Sequence, residues 1–131
     1  MLRKALILIV EDNDVDFHIA EIMLKKVLEK VTIYRCRNGE EAFSYLHNLK
    51  TSFPNFILLD IDMPIMNGKE FLKAKSQNES FKQIPVVVLS SSVWNEEKEE
   101  CIKLGAEAFI EKPITVDSVV NTLKSYTYAN L

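Results

Sequence analysis

The residues with chemical promise are acids, a hydroxyl and an ammonium, each placed just after a short apolar run. Glu11-Asp12 follow the first run and Asp60 closes another, while Ser90-Ser91-Ser92 and Lys112-Pro113 follow two more. If those runs are strands of one parallel sheet, the polar residues meet on a single rim. Carboxylates crowded together repel one another. A hard divalent cation relieves that repulsion, and oxygen-only ligands select Mg2+ or Mn2+ over zinc. Mg2+ takes one or two carboxylates directly and keeps several waters, so a phosphoryl oxygen can become a further ligand. Lys112 adds a positive point charge and Ser90 a hydroxyl donor. With one carboxylate left as nucleophile, the set describes a phosphoryl-transfer site.

Each piece alone is ordinary. An acidic pair after a strand is commonly a solvated turn or a helix cap, and Asp60 by itself suits a strand-end turn. A single Lys-Pro carries little, and Ser92 is a natural cap for a following helix. The argument rests on joint placement, and so on the elements that must supply it. The runs are Ala5–Val10, Val31–Tyr34, Phe56–Leu59, Val86–Leu89 and Ala108–Ile110. The first, third and fourth are continuous rather than alternating, as in parallel strands covered on both faces.

Helical stripes separate the runs. Phe17, Ala20, Leu24, Val27 and Leu28 share one face, and Ala42, Phe43, Leu46 and Leu49 another. A third helix begins around Phe71-Leu72 after Gly68. A fourth is expected from about Val93 to Leu104 with Gly105 as its C-cap. The last stripe is Val116, Val119, Val120 and Leu123, with Thr115 as N-cap. Strand and helix thus alternate five times. The expected fold is α/β: a doubly wound, five-stranded parallel sheet of flavodoxin-like order 2-1-3-4-5. In that order the carboxyl ends of the first and third strands are neighbours, where such folds bind ligands.

Composition narrows the classes. The chain of 131 residues fits one domain, with no room for a following output domain. The net charge of −3 gives no basic footprint for nucleic acid or for an anionic membrane surface. No signal peptide or spanning helix is visible, so a cytoplasmic location is expected. Cys36 and Cys101 read as free thiols packed as small hydrophobes. His18 and His47 lack metal-ligand partners in sequence, and Glu96–Glu100 reads as a solvated helix face.

The motifs Val10-Glu11-Asp12-Asn13, Leu58-Leu59-Asp60-Ile61-Asp62-Met63-Pro64, Met66-Asn67-Gly68, Pro85–Ser90, Gly105-Ala106 and Glu111-Lys112-Pro113 span nearly the whole chain. In them the sequence resembles the CheY-like receiver domains of two-component response regulators, of the stand-alone type. The resemblance implies that Asp60 is the phosphoacceptor. It implies that Asp12, Asp60 and the backbone carbonyl of Asp62 ligate Mg2+ directly, and Glu11 through a water. Ser90 matches the switch hydroxyl, Ser91 the backbone N–H donor to the phosphoryl group, Lys112 the phosphoryl-binding lysine and Phe109 the aromatic switch residue. Phe109 has no hydroxyl, so a switch through this ring must act by burial. Asp62, two residues after the acceptor, bears on the lifetime of the acyl phosphate.

The implied donor is a sensor histidine kinase, a hybrid kinase or a phosphotransfer protein, and output runs through a downstream protein partner. Trp94 is a candidate contact for it. A monomer is expected, with a dimer on phosphorylation as the alternative. The chain would catalyse only its own phosphorylation and dephosphorylation. Three rivals stand beside this reading. Asp60-Ile61-Asp62 imitates the DxD motif of haloacid-dehalogenase-type phosphatases, but on the third strand rather than the first. A flavodoxin-like cofactor binder would need a glycine-rich phosphate loop where Glu11-Asp12-Asn13-Asp14 stands. A phosphorylation-independent pseudo-receiver would be expected to lack one of the site residues.

Overall fold

The apolar runs become the strands of one parallel sheet in the computed structural model. The structure describes residues 4–50, 52–63, 65–91 and 95–124. Pro64, Ser92, Val93 and Trp94, each singled out in the sequence, and Tyr126, near which the last helical stripe is expected to end, lie outside the described residues. The elements are β1 (Lys4–Val10), α1 (Asp14–Val27), β2 (Lys30–Cys36), α2 (Gly39–His47), β3 (Phe56–Asp60), α3 (Gly68–Ser76), β4 (Val86–Ser90), α4 (Asn95–Lys103), β5 (Ala108–Glu111) and α5 (Val116–Thr122). The sheet order is β2-β1-β3-β4-β5, as expected.

Successive strand residues point to opposite faces, and both faces are covered. Ile7 and Ile9 of β1 pack with Phe17, Ala20 and Leu24 of α1 and with Val119 and Leu123 at α5. Leu8 and Val10 pack on the other side with Ala42, Leu46, Phe71, Leu72 and Cys101. That is why β3 and β4 show no polar alternation: every residue in them is buried. The edge strand β2 alternates exposed and half-buried residues instead.

The helix ends follow local chemistry. The Asn13 side chain caps α1 by accepting from the Asp16 N–H at 2.9 Å. Asn67 and Glu70 form a capping box at α3, and Thr115 and Ser118 form one at α5. Gly105 takes φ +106° after α4, and the Ala106 N–H reaches back to the Cys101 carbonyl at 3.0 Å. The second stripe is shorter than its apolar pattern: α2 stops at His47, and Leu49 lies past the C-cap. The polar segment from Ser76 to Ile84 is pinned rather than free. Phe81 and Ile84 are buried in it, and the buried Lys75 ammonium donates to the Lys82 carbonyl at 3.2 Å. Both cysteines are free and buried, and burial pushes each thiol up to about 11.

Two glycines mark close approaches behind the rim. A Cβ on Gly68 would lie 2.7 Å from Ile61 Cα and 2.8 Å from the Asp60 carbonyl oxygen, both backbone. A Cβ on Gly39 would meet the Met66 side chain at 2.7 Å, and an unbranched thioether can turn aside. Gly68→Ala is therefore expected to destabilise the protein by about 2 kcal/mol in urea unfolding. Gly39→Ala should stay within about 1 kcal/mol, because rotation of the Met66 thioether relieves the two closest contacts, leaving the one to Met66 Cβ at 3.1 Å, and alanine favours the helix. Equal costs for the two would contradict this account of the α3 start.

Candidate functional site

Register places the site. Val10 of β1 pairs with Leu59 of β3, so Glu11 and Asp60 are the next residues along adjacent strands. Asp60 pairs with Leu89, and Ser90 of β4 with Glu111 of β5, which brings Ser90 and Lys112 to the same end. Backbone bonds continue the ladder past the strands. Glu11 N–H donates to the Cys36 carbonyl at 2.9 Å, Ile61 N–H to Leu89 at 3.2 Å and Lys112 N–H to Ser90 at 2.8 Å. Four strand ends thus deliver Glu11, Asp60, Ser90 and Lys112 to one rim on rigid backbone.

Glu11, Asp12 and Asp60 each offer a carboxylate oxygen within 4.8 Å of the others. Glu11 and Asp60 are buried, with only 1% and 3% of their surfaces exposed. Burying two like charges side by side requires a compensating cation. Lys112 supplies one: its Nζ lies 2.9 Å from Asp16 Oδ2, 3.0 Å from Glu11 Oε1 and 3.2 Å from Asp60 Oδ1. The Asp16 and Asp60 contacts are hydrogen bonds. Glu11 Oε1 is in charge contact only and accepts no hydrogen bond among the described residues. A buried, under-coordinated carboxylate oxygen beside two other carboxylates is a donor set that fits a hard divalent cation.

The electrostatics agree. Burial, followed by the Asp60 carboxylate beside it, pushes the Glu11 carboxyl from 4.5 up to about 7, even with Lys112 pulling the other way. Lys112 is raised above its ordinary value: burial alone would lower it, but Asp16, Glu11 and Asp60 outweigh that.

The loops hold this cluster from behind. The Arg35 guanidinium sits 4.5 Å over the Phe17 ring and donates to the Glu11 carbonyl at 3.1 Å. It also contacts Asp14 at 2.8 Å, and Arg35 and Arg37 together hold the Asp14 carboxyl below its ordinary range. After β3, the Asp62 N–H donates to Asp60 Oδ1 at 3.3 Å. Ile65 then takes φ +66°, a left-handed conformation that costs a β-branched residue about 1–2 kcal/mol. Bonds on either side hold it, from Gly39 N–H to the Met66 carbonyl and from Gly68 N–H to the Ile61 carbonyl.

The structure gathers Glu11, Asp12, Asp60, Ser90 and Lys112, as the sequence anticipates, and sets Asp62 beside them. Phe109 is half-buried against the α2–α3–α4 side of the core. Ser91 is exposed at the end of β4. Two participants were not anticipated. Asp16 reads in sequence as a first-turn acid of α1, yet it is the shortest contact of Lys112. Glu97 belongs to the run expected to be solvated, yet Ser90 Oγ donates to its Oε1 at 3.2 Å. Glu100 of the same run pairs with Lys69 of α3 at 3.3 Å. The expectation holds for the exposed Glu96, Lys98, Glu99 and Glu100 and is corrected at the half-buried Glu97, which α4 turns toward the rim. An acidic run looks the same on every face of a helix, so no sequence signal selects Glu97.

Comparison with known proteins agrees with this geometry. The sequence profile of the response regulator receiver domain matches residues 7–124. The polar-differentiation response regulator DivK of Brucella anthropi is 30% identical over 120 residues, covering 92% of this chain and 94% of its own. The phosphorylated cyanobacterial phytochrome response regulator RcpA superposes with TM-score 0.82 at 27% identity, covering 98% of this chain and 96% of its own. The Mn2+-bound form of response regulator Rcp1 superposes with TM-score 0.76 at 27% identity, covering 93% of each chain. Among the described residues no helix is long and apolar enough to cross a membrane.

The raised Glu11 carboxyl makes the cation-free protein sensitive to pH. Its folded value of about 7 exceeds its ordinary 4.5, so the folded state binds the proton more tightly than the unfolded one. The associated stability is fully present below 4.5 and is lost as pH rises through about 7. Urea unfolding in chelator should therefore show a loss of up to about 3 kcal/mol between pH 5 and pH 8. Glu11→Gln should flatten that slope, and a variant with the unchanged slope would refute the assignment.

Proposed function

This chain belongs to the response regulator receiver domain family, and we propose that it works as a phosphoacceptor in a two-component relay, with Asp60 as the acceptor. The observation that carries this reading is the meeting of Asp60, Glu11, Asp12 and Lys112 at adjoining strand ends. Receiver domains act as signal transducers rather than as enzymes on outside substrates. The donor is the phosphohistidine of a sensor kinase, hybrid kinase or phosphotransfer protein.

In the transfer step an Asp60 carboxylate oxygen attacks phosphorus in line. The P–O bond to Asp60 forms as the P–N bond of the donor breaks, and the imidazole leaves with that electron pair. Lys112, already 3.2 Å from Asp60 Oδ1, balances charge on one phosphoryl oxygen. Ser90 offers its hydroxyl to a second, and the Ser91 N–H is the backbone donor. Glu11, Asp12, Asp60 and the Asp62 carbonyl would hold Mg2+, which when bound screens the carboxylates and neutralises charge on the phosphoryl oxygens. Water later hydrolyses the acyl phosphate and restores the Asp60 carboxylate.

Switching follows from the hydroxyl. In this structure Ser90 Oγ is bonded to Glu97 on α4. A phosphoryl group on Asp60 attracts the hydroxyl toward the rim and so away from α4. The room Ser90 leaves lets the half-buried Phe109 ring turn inward, and the surface formed by α4, β5 and α5 changes. That surface is where a downstream protein would read the state.

Incubation with phosphoramidate should add one phosphoryl group to the intact mass, dependent on Mg2+ and absent in Asp60→Ala. Lys112→Met should slow the gain by about a hundredfold or more, the scale for losing one charge-stabilising group. No adduct, together with no binding of beryllofluoride as a stable phosphoryl mimic, would leave a binding-only domain and overturn the proposal.

A further inference from the structure

The Lys112 ammonium has three carboxylate oxygens within 3.2 Å, and they are not equivalent. Glu11 and Asp60 belong to the carboxylate group that would hold a cation. Asp16 does not: it sits in the first turn of α1 and is about one-third exposed. Its contact with Nζ is nevertheless the shortest of the three, at 2.9 Å. The Asp16 backbone is fixed, because its N–H is bonded to the capping Asn13 side chain at 2.9 Å.

A divalent cation among Glu11, Asp12 and Asp60 would compete with Lys112 for two of these oxygens and would repel the ammonium. The ammonium is a compact charge on a flexible four-carbon stem with three donors to satisfy. It is also only 16% exposed, so water alone replaces lost partners poorly. We propose that Asp16 is a positioning residue of this site: it keeps the Lys112 ammonium when Glu11 and Asp60 turn to the cation, and holds it ready beside Asp60 for the phosphoryl group. The inference rests on the reading of the rim as a cation-dependent phosphoacceptor site. Without Asp16, Lys112 leans wholly on Glu11 and Asp60 and competes with the cation for them. Asp16 thereby favours cation binding through Lys112, in addition to the weak pull of its own charge.

The two contributions separate in a double-mutant cycle read by calorimetric Mg2+ titration, with no phosphorylation involved. Asp16→Asn in the otherwise natural chain should weaken Mg2+ binding about five- to tenfold, as expected for coupling between contacting groups. Lys112→Met should strengthen it by removing the competitor. Asp16→Asn added to Lys112→Met should then cost only about twofold, the residue of a screened charge. Asp16→Glu, which keeps the charge, should recover part of the affinity, and thermal unfolding of each variant checks that the fold is retained. An equal loss in both backgrounds, or no loss in either, would overturn the role of Asp16 while leaving the site intact. Absence of Mg2+ binding by the unsubstituted chain would instead overturn the cation-site reading, and this inference with it.

Discussion

Like charges forced together at the end of a parallel sheet are the constraint on which this structure turns. Glu11 and Asp60 are almost fully buried and stand at adjoining strand ends, with Asp12 beside them. Left alone, such a group would neutralise itself by taking up protons, and the raised Glu11 carboxyl shows that tendency. Lys112 holds it in check through three contacts. The cost of this crowding is met by burial elsewhere: both faces of the sheet are packed with aliphatic and aromatic side chains. A group that is unfavourable in isolation is one whose repulsion a bound cation would relieve.

Precision comes from backbone rather than side chains. The pairings Val10↔Leu59, Asp60↔Leu89 and Ser90↔Glu111 fix which residues share the rim. A slip of one residue in any of them would exchange the two faces of a strand and carry an acid off the rim. The loops add smaller constraints with the same effect. Arg35 holds the Glu11 carbonyl while lying over Phe17, and Gly68 lets α3 begin against the Asp60 backbone. The left-handed Ile65 shows that the loop after Asp60 keeps its path even at some local strain.

The same rim is wired to the helices around it. Ser90 reaches α4 through Glu97, Lys112 reaches α1 through Asp16, and α4 reaches α3 through Glu100 and Lys69. A change of charge on Asp60 therefore meets polar partners on several elements at once. In a well-packed core such changes resolve into discrete rearrangements rather than gradual deformation.

The sequence by itself determined the strands, the helices, their order and most of the rim. Continuous apolar runs and helical stripes are local patterns, and the caps Asn13, Asn67 and Thr115 act within a few residues. Given the order 2-1-3-4-5, the residues after each run had to meet, which is why Glu11, Asp12, Asp60, Ser90 and Lys112 could be named together. The partnerships made by helices were decided only in three dimensions. Asp16 looks like any acid that complements a helix dipole, and Glu97 like any member of an acidic run. Whether such a side chain faces water or the site depends on how its helix is rotated and packed against the sheet. That rotation is set by core contacts far away in sequence, so no local pattern records it.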